Sequence, residues 1–228
     1  MKLLSTLLSI GIALLGVTVT GNAEIYAGGI VPDRSTLNSI LAGYGPVMEN
    51  FEAINLPPDV GQVGPPVLNS TTSYYGFGSG LVVPGVTFSS VGGVLQWNSE
   101  GYYGQPSKDI GSTSTTLEID FSTPTPAFGL DLLVFAGFGD NANVYVYGAD
   151  NTTLLATVSG LSVTDPSSPV FFGYQDSGGI GKVQIQGTAH SWSPLIDNLT
   201  FAPIPEPFVP SLLAAALLLA SISVRRRH

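Results

Sequence analysis

The sequence predicts an all-β fold, an antiparallel β-sandwich or jelly roll, with a signal helix before it and a transmembrane helix after it. From Phe51 onward, short apolar runs alternate with turn-forming residues, and no run has the length or the 3.6-residue period of a helix. The 228 residues include 28 glycines and 17 prolines but only 10% charged residues, which favours short strands. Many short antiparallel strands are best buried as two packed sheets.

Residues 1–23 have the layout of a secretory signal peptide. Lys2 precedes an apolar run from Leu3 to Val19, and the small residues Gly21 and Ala23 stand just before Glu24. We therefore expect signal peptidase to cleave after Ala23 and the chain to be exported; the alternative is an uncleaved membrane anchor. Residues 24–50 are predicted to be a largely irregular N-terminal segment.

Residues 51–201 are predicted to form the sandwich domain. In KVQIQ, Val183 and Ile185 share one face of a strand while glutamines occupy the other, and LEIDF alternates in the same way. The segment GADN between NVYVY and TLLATV predicts a hairpin turn. We expect the inward-facing side chains to include Phe128, Leu130, Val144, Val146, Phe171, Val183, Ile185 and Leu199.

Charge and composition exclude several function classes. Residues 24–201 carry 15 acidic and 3 basic residues, a net charge of −12 that repels phosphate, so nucleic acid is not an expected partner. The absence of cysteine excludes disulfides, thiolate metal sites and cysteine nucleophiles. His190 is accompanied by no G-x-S-x-G turn, so we interpret it as structural and predict no catalytic residue there.

Residues 202–228 contain three parts in a fixed order. Pro205-Glu206-Pro207 comes first, followed by 17 uncharged residues from Phe208 to Val224, roughly 26 Å as a helix and just enough to span a thin bilayer. The basic cluster Arg225, Arg226 and Arg227 comes last and should stay cytoplasmic, which leaves the preceding domain outside. The alternative is a plain single-pass anchor that carries this tripeptide by chance.

The three parts, over about the last 25 residues, resemble the tripartite PEP-CTERM sorting signal. The resemblance implies a Gram-negative bacterial protein, transiently anchored in the inner membrane, whose tail a membrane exosortase recognises and removes. The sorting motif would then comprise Pro205, Glu206, Pro207, Arg225, Arg226 and Arg227, with Glu206 read by the exosortase and not itself catalytic. The middle of the chain also resembles the β-sandwich domains common in PEP-CTERM proteins, which carry no established activity.

One segment is similar to an enzyme motif. LEIDFSTP resembles the E-x-D-x-x-E strand of laminarinase-type glycoside hydrolases, and Glu118 and Asp120 fit its first two positions. Thr123 occupies the third position, so the second carboxylate that a retaining glycosidase needs at about 5 Å is missing. We interpret the pair as the solvated face of a strand and predict that the protein is not an enzyme.

Two kinds of ligand site remain open. Glu52 and Asp197 could hold calcium, because a jelly roll brings its first and last strands together and calcium prefers oxygen ligands; the alternative is turn caps and surface charge, and no other cofactor is predicted. Several aromatic residues could stack on sugar rings if they lie exposed on one face, although core packing would explain them equally well: Tyr74, Tyr75, Trp97, Tyr102, Tyr103 and Trp192.

Two functions follow from these patterns. The first is an exported, non-enzymatic protein of the cell surface or extracellular matrix, sorted by its PEP-CTERM tail to the cell envelope or to extracellular polysaccharide. The alternative is a secreted carbohydrate-binding module or carbohydrate-active enzyme that uses the same export route. An exposed row of aromatic side chains, or two carboxylates facing each other in a cleft, would favour the alternative.

Overall fold

The computed structural model describes residues 28–74, 78–135 and 137–202, and they form an all-β, mostly antiparallel fold. One helix, α1, spans Arg34–Leu41, and a short 3-10 turn spans Tyr102–Gly104. The strands are β1 (Gly29–Val31), β2 (Val47–Glu49), β3 (Gly61–Val63), β4 (Val67–Asn69), β5 (Val86–Ser90), β6 (Leu95–Asn98), β7 (Asp109–Ser112), β8 (Thr116–Leu133), β9 (Asp140–Gly148), β10 (Leu154–Val163), β11 (Val170–Gly187) and β12 (Leu195–Phe201).

Both predicted terminal helices, together with the sorting motif, lie outside the described residues. Within the described ranges no helix is long and apolar enough to cross a membrane. The prediction that residues 24–50 are irregular is wrong for the part from 28 onward, which forms β1, α1 and β2. These elements are too short to leave a periodic pattern in the sequence, and they form because β1 and β2 add to the edges of β11 and β12.

The strands pair in two blocks that β8 and β11 connect. The first half of β8 pairs with β5 and with the second half of β11, which continues to β9 and β10. The second half of β8 pairs with the first half of β11 and with β12, which leads to β7, β6 and β3. A register shift between Gln175 and Lys182 marks the passage of β11 from one block to the other.

The two blocks share one hydrophobic core. Phe88, Ile119 and Val144 from the first block and Trp97 and Ile110 from the second are buried in a single cluster. Shared burial of this kind fits the predicted two-layer arrangement, while the jelly-roll connectivity stays a prediction. Seven of the eight side chains predicted to face inward are buried: Phe128, Leu130, Val144, Val146, Val183, Ile185 and Leu199.

The eighth, Phe171, is half-buried and belongs to a second cluster beneath α1. Asp33 caps the helix, because its Oδ1 accepts a hydrogen bond from the Thr36 N–H at 2.7 Å. Leu37 and Leu41 are fully buried against Val31, Ala127 and Ala202. The helix therefore covers an apolar patch that the main core leaves open.

The hairpin predicted at GADN is confirmed between β9 and β10. Asn151 adopts a left-handed conformation with φ 60°. The Asp150 carboxylate accepts hydrogen bonds from the N–H groups of Thr152 and Thr153 at 2.9 and 2.8 Å. These local bonds explain why this turn could be read from the sequence.

Candidate functional site

Six ring-bearing side chains form a continuous surface cluster where three loops meet. The loops are residues 99–108 between β6 and β7, residues 134–139 between β8 and β9, described except for residue 136, and residues 188–194 between β11 and β12. The residues of this aromatic cluster are Tyr102, Tyr103, Phe135, Phe138, His190 and Trp192.

Each ring in the aromatic cluster contacts the next. The ring centroids of Tyr103 and Phe135 are 5.4 Å apart, and those of Phe135 and Trp192 are 6.1 Å apart, both in edge-to-face arrangements. His190 stacks on Trp192 at 4.6 Å with an interplanar angle of 8°, and Phe138 meets the edge of Trp192 at 5.7 Å. These separations lie in the range of favourable aromatic pairs.

Two rings of the aromatic cluster are displayed to solvent. Tyr103 is 53% exposed and Phe138 is 41% exposed, whereas the other four rings are half-buried. Phe135 and Trp192 connect these two exposed rings, and grouped exposed aromatic side chains are a feature of binding sites.

Two buried polar side chains hold the loops in place. The Gln105 side chain is 2% exposed and donates a hydrogen bond from Nε2 to the Val134 carbonyl oxygen at 3.1 Å, joining the first loop to the second. Asp140 is 4% exposed, and its Oδ1 accepts hydrogen bonds from the Thr188 and Ala189 N–H groups at 3.2 and 2.9 Å, joining the third loop to β9. The cluster is therefore built on fixed loops.

Gly187 shows how closely the third loop packs. A β-carbon at Gly187 would lie 2.5 Å from the Trp192 carbonyl oxygen and 2.6 Å from Asp140 Oδ2. Only glycine allows this approach without a shift of the loop that carries His190 and Trp192.

A small pocket of about 130 Å³ opens between two rings of the cluster. Phe135 and Trp192 form its aromatic walls, and Gln96, Ser112 and Thr113 also line it. Hydrogen bonds to Ser90 and to the Val94 backbone engage the Ser112 and Thr113 hydroxyls, which leaves Gln96 as the polar side chain of the pocket. The site thus combines stacking surfaces with hydrogen-bonding groups, the usual composition of a small-molecule site.

Each lysine and arginine in the described ranges is paired with a carboxylate, including Lys108 at the end of the first loop. Arg34 pairs with Asp131 at 2.7 Å, Lys108 with Glu52 at 3.3 Å and Lys182 with Glu118 at 3.7 Å. These three are all the lysines and arginines among the described residues. The arrangement therefore favours a neutral ligand over an anionic one.

The structure brings some of the aromatic candidates together at the surface and buries one of them, and stacking on sugars stays a prediction. Tyr102, Tyr103 and Trp192 belong to the aromatic cluster, but Trp97 is 1% exposed and packs in the core because β6 turns that position inward. Tyr74 is half-buried between β4 and β5, and Tyr75 lies outside the described residues. Phe135 and Phe138 were not among the candidates, although the glycines around Phe138 in FAGFGD signal an exposed loop. His190, interpreted from the sequence as structural, stacks on Trp192 in the cluster.

The two predicted calcium ligands lie near each other. Asp197 is 2% exposed, and its carboxylate accepts hydrogen bonds from the Ser107 hydroxyl and the Asn198 N–H, each at 2.6 Å. Burial, together with the negative charges of Asp131 and Glu52, raises the pKa of Asp197 to about 6, and these hydrogen bonds oppose the rise. Glu52 itself is exposed and paired with Lys108.

Asp109 is a further buried carboxylate beside Asp197 that sequence reasoning missed. Ile110 of β7 stands opposite Ile196 of β12, so the next positions, Asp109 and Asp197, are also neighbours. Asp109 is fully buried; its Oδ1 accepts a hydrogen bond from Asn98 Nδ2 at 2.6 Å, while its Oδ2 has no hydrogen-bond partner. Burial raises the pKa of Asp109 well above its ordinary value.

The described residues around Glu52 and Asp197 do not form a metal centre by their side chains alone. Among the residues that the structure describes, no group of three or more histidine, aspartate or glutamate side chains is placed to hold a metal ion. The oxygens of Glu52 and Asp197 are engaged by hydrogen-bond donors and by Lys108. Calcium at these two residues stays a prediction, and a lower melting temperature in chelator would support it.

Glu118 and Asp120 share one face of β8, as the alternation predicts, but both are half-buried rather than fully solvated. Glu118 Oε2 accepts a hydrogen bond from Gln184 Nε2 at 2.6 Å and pairs with Lys182. Burial, followed by the charge of Glu118, raises the pKa of Asp120 to about 6. Gln184 and Lys182 of β11 therefore link these carboxylates into a polar network between β8 and β11.

Comparison with known proteins gives no family. No protein-family model and no curated protein sequence matches this chain. Two solved structures resemble it at low identity. The K2 cleaved adhesin domain of Lys-gingipain is 14% identical with a TM-score of 0.33, and the match covers 69% of this chain and 99% of that one. CtCBM11 is 10% identical with a TM-score of 0.29, covering 72% of this chain and 99% of that one.

Proposed function

We propose that this chain is an exported, non-enzymatic protein of the cell surface or extracellular matrix whose β-domain binds neutral glycans through the aromatic cluster. The observation that carries the proposal is the unbroken chain of rings from Tyr103 to Phe138, displayed on three loops that buried hydrogen bonds hold in place. The export part of the proposal is supported by the sequence patterns at the two ends of the chain.

The chemistry of the aromatic cluster suits sugars. A pyranose ring presents an apolar C–H face that can stack on an aromatic ring, and hydroxyl groups at its edge that need hydrogen-bonding partners. The rings of Tyr103 and Phe138 are exposed enough to receive such a face. Gln96, which is half-buried and lines the adjoining pocket, offers a side-chain amide to the hydroxyls.

The charge of the domain restricts the class of glycan. All three lysines and arginines of the described ranges are already paired with carboxylates, and the full chain has a net charge of −9. Sulfated or uronic acid polymers would meet electrostatic repulsion with no cation to offset it. We therefore infer that the ligand is a neutral polysaccharide, for example one in the extracellular matrix.

The export route that we propose follows the sorting signal. Signal peptidase would release residues 1–23, the tail would hold the protein in the inner membrane of a Gram-negative bacterium, and an exosortase would then recognise Pro205-Glu206-Pro207 and remove the tail. The β-domain would reach the envelope or the extracellular polymer, where a neutral polysaccharide is available to the aromatic cluster.

A glycan array tests the binding part of this proposal. We expect the purified full-length protein to bind neutral glycans and not acidic ones, and we expect Phe138→Ala to weaken binding by about tenfold because an exposed stacking surface is lost. Tyr44→Ala is the matched control, since Tyr44 is 37% exposed and lies outside the cluster. Binding to no neutral glycan, or equal loss in both variants, would contradict the proposal.

A further inference from the structure

The turn that carries Tyr103 has an unusual backbone. Gly101 and Gly104 have φ angles of 88° and 85°, which glycine adopts freely. Tyr103 between them has φ 49° and ψ 32°, the left-handed region that an L-residue with a bulky side chain rarely occupies. The tyrosine therefore destabilises the turn relative to glycine or asparagine at the same position.

The contacts of the Tyr103 side chain offset little of this backbone strain. Its ring meets those of Tyr102 and Phe135 edge to face, with centroids 4.7 and 5.4 Å apart, and stays 53% exposed. Tyr102, by contrast, is packed so closely on β3 that a β-carbon at Gly61 would lie 2.5 Å from its ring. Tyr102 anchors the turn, and Tyr103 projects from it.

Backbone hydrogen bonds fix the turn without using the Tyr103 side chain. The Gly104 N–H donates to the Gly101 carbonyl oxygen, and the Gly101 N–H donates to the Gln105 carbonyl oxygen, each at 2.9 Å. The Gln105 side chain then ties the turn to the end of β8. The backbone from which the exposed ring projects is therefore fixed before any ligand arrives, which lowers the entropic cost of binding.

We propose that Tyr103 is a ligand-contacting residue of the aromatic cluster, whose ring stacks on the apolar face of a neutral sugar. This inference rests on the proposed glycan-binding function. Backbone strain at an exposed, rigidly held aromatic residue is typical of positions that serve binding rather than folding. The ring, and not its hydroxyl group, provides the contact.

Three variants test the inference on the full-length protein. Asparagine tolerates the left-handed conformation, so Tyr103→Asn should raise the melting temperature by about 2–4 °C while it weakens binding of the best array glycan by about tenfold or more. Tyr103→Phe should keep both the melting temperature and the affinity close to wild type, because the ring remains. Tyr44→Asn controls for loss of an exposed tyrosine elsewhere and should leave the affinity unchanged.

Calorimetric titration and thermal melting distinguish the outcomes. If the wild type binds a neutral glycan but Tyr103→Asn binds it equally well, Tyr103 is not a ligand contact and the inference is overturned. A lower melting temperature for Tyr103→Asn would assign the ring a structural role and overturn it as well. If the wild type binds no glycan, the proposed function itself fails, and this role of Tyr103 fails with it.

Discussion

Glu49 is a buried carboxylate that joins two segments of the domain. It is 3% exposed; its Oε1 accepts a hydrogen bond from the Phe51 N–H at 2.7 Å, and its Oε2 accepts one from the Val83 N–H at 2.6 Å. Burial raises the pKa of Glu49 while these bonds oppose the rise. The side chain is thus the hydrogen-bond acceptor for two backbone groups that have limited access to water.

Replacing Glu49 by alanine should destabilise the fold strongly. Two N–H groups lose their acceptor, and each unsatisfied group costs about 1–3 kcal/mol, so we expect the free energy of unfolding to fall by about 2–6 kcal/mol. Urea unfolding measures this change. Glu49→Gln keeps one acceptor oxygen and should lose less, whereas equal losses for both variants would argue against the hydrogen-bond explanation.

Asp197 and Asp109 should make the domain more stable in mild acid than at neutral pH. Burial raises the pKa of Asp197 from 3.8 to about 6 and that of Asp109 well above 3.8, so the native state binds more protons than the unfolded state between about pH 4 and 6. The free energy of unfolding therefore falls as pH rises through this window, by up to about 3 kcal/mol for Asp197.

Thermal melting in chelator-containing buffer between pH 4.5 and 7.5 checks this pH dependence, because a bound cation would stabilise the ionised forms. Asp197→Asn removes one titrating group and should flatten the curve. A melting temperature that rises steadily from pH 4.5 to 7.5 in the wild type would show that these carboxyl groups do not keep their protons in the folded state.

At the level of secondary structure, α1 depends on one face of the sheet. Its Leu37 is fully buried, and a β-carbon at Gly129 of β8 would lie only 2.6 Å from Leu37 Cδ2. Leu37→Ala would leave a cavity at this contact and should lower the free energy of unfolding by about 2–4 kcal/mol. Asn38→Ala, at an exposed position of the same helix, is the control and should change it little. A near-neutral Leu37→Ala would mean that α1 contributes little to the fold.

The strands and the helix differ in how far the sequence predicts them. Val183 and Ile185 alternate with two glutamines in the sequence. The structure buries the valine and isoleucine and leaves the glutamines half-exposed. The sequence could predict this because alternation of faces is a local property of a strand. Helix α1 has only eight residues and two fully buried positions, too few for a recognisable period. It packs on Ala127 and Gly129 of β8, more than 80 residues away in the sequence, so local patterns could not reveal it.

At the level of the whole molecule, topology assembles the aromatic cluster. Tyr103, Phe135 and Trp192 lie on loops that are far apart in sequence. The loops of Phe135 and Trp192 meet because the end of β8 pairs with the start of β12, and the Gln105 hydrogen bond to the Val134 carbonyl oxygen joins the loop of Tyr103 to them. Residue type alone identified Tyr102, Tyr103 and Trp192 as candidates, but it also identified Trp97, which the same topology buries. Phe138 and His190 can be assigned to the aromatic cluster only from their contacts with Trp192, and no local sequence pattern predicts those contacts.

The proposed export pathway makes a prediction about a single side chain. If an exosortase reads Pro205-Glu206-Pro207, the exported protein should lack residues 208–228, and Glu206→Ala should leave an uncleaved, membrane-bound form. A plain anchor needs only the apolar run and the arginines, because burial and charge asymmetry hold it in the bilayer. Under that model the substitution should change nothing.

Fractionation of the native host, with an epitope placed before Ala202, separates the two models. We expect the wild type to appear outside the inner membrane at reduced size and Glu206→Ala to remain in the membrane fraction at full size. Thr200→Ser, a conservative change just before the tail, should be processed like the wild type. Glu206 would lie outside the bilayer in either model. If wild type and Glu206→Ala have the same size and the same membrane retention, the tail is a plain anchor held by burial of its apolar segment, and the sorting proposal is wrong.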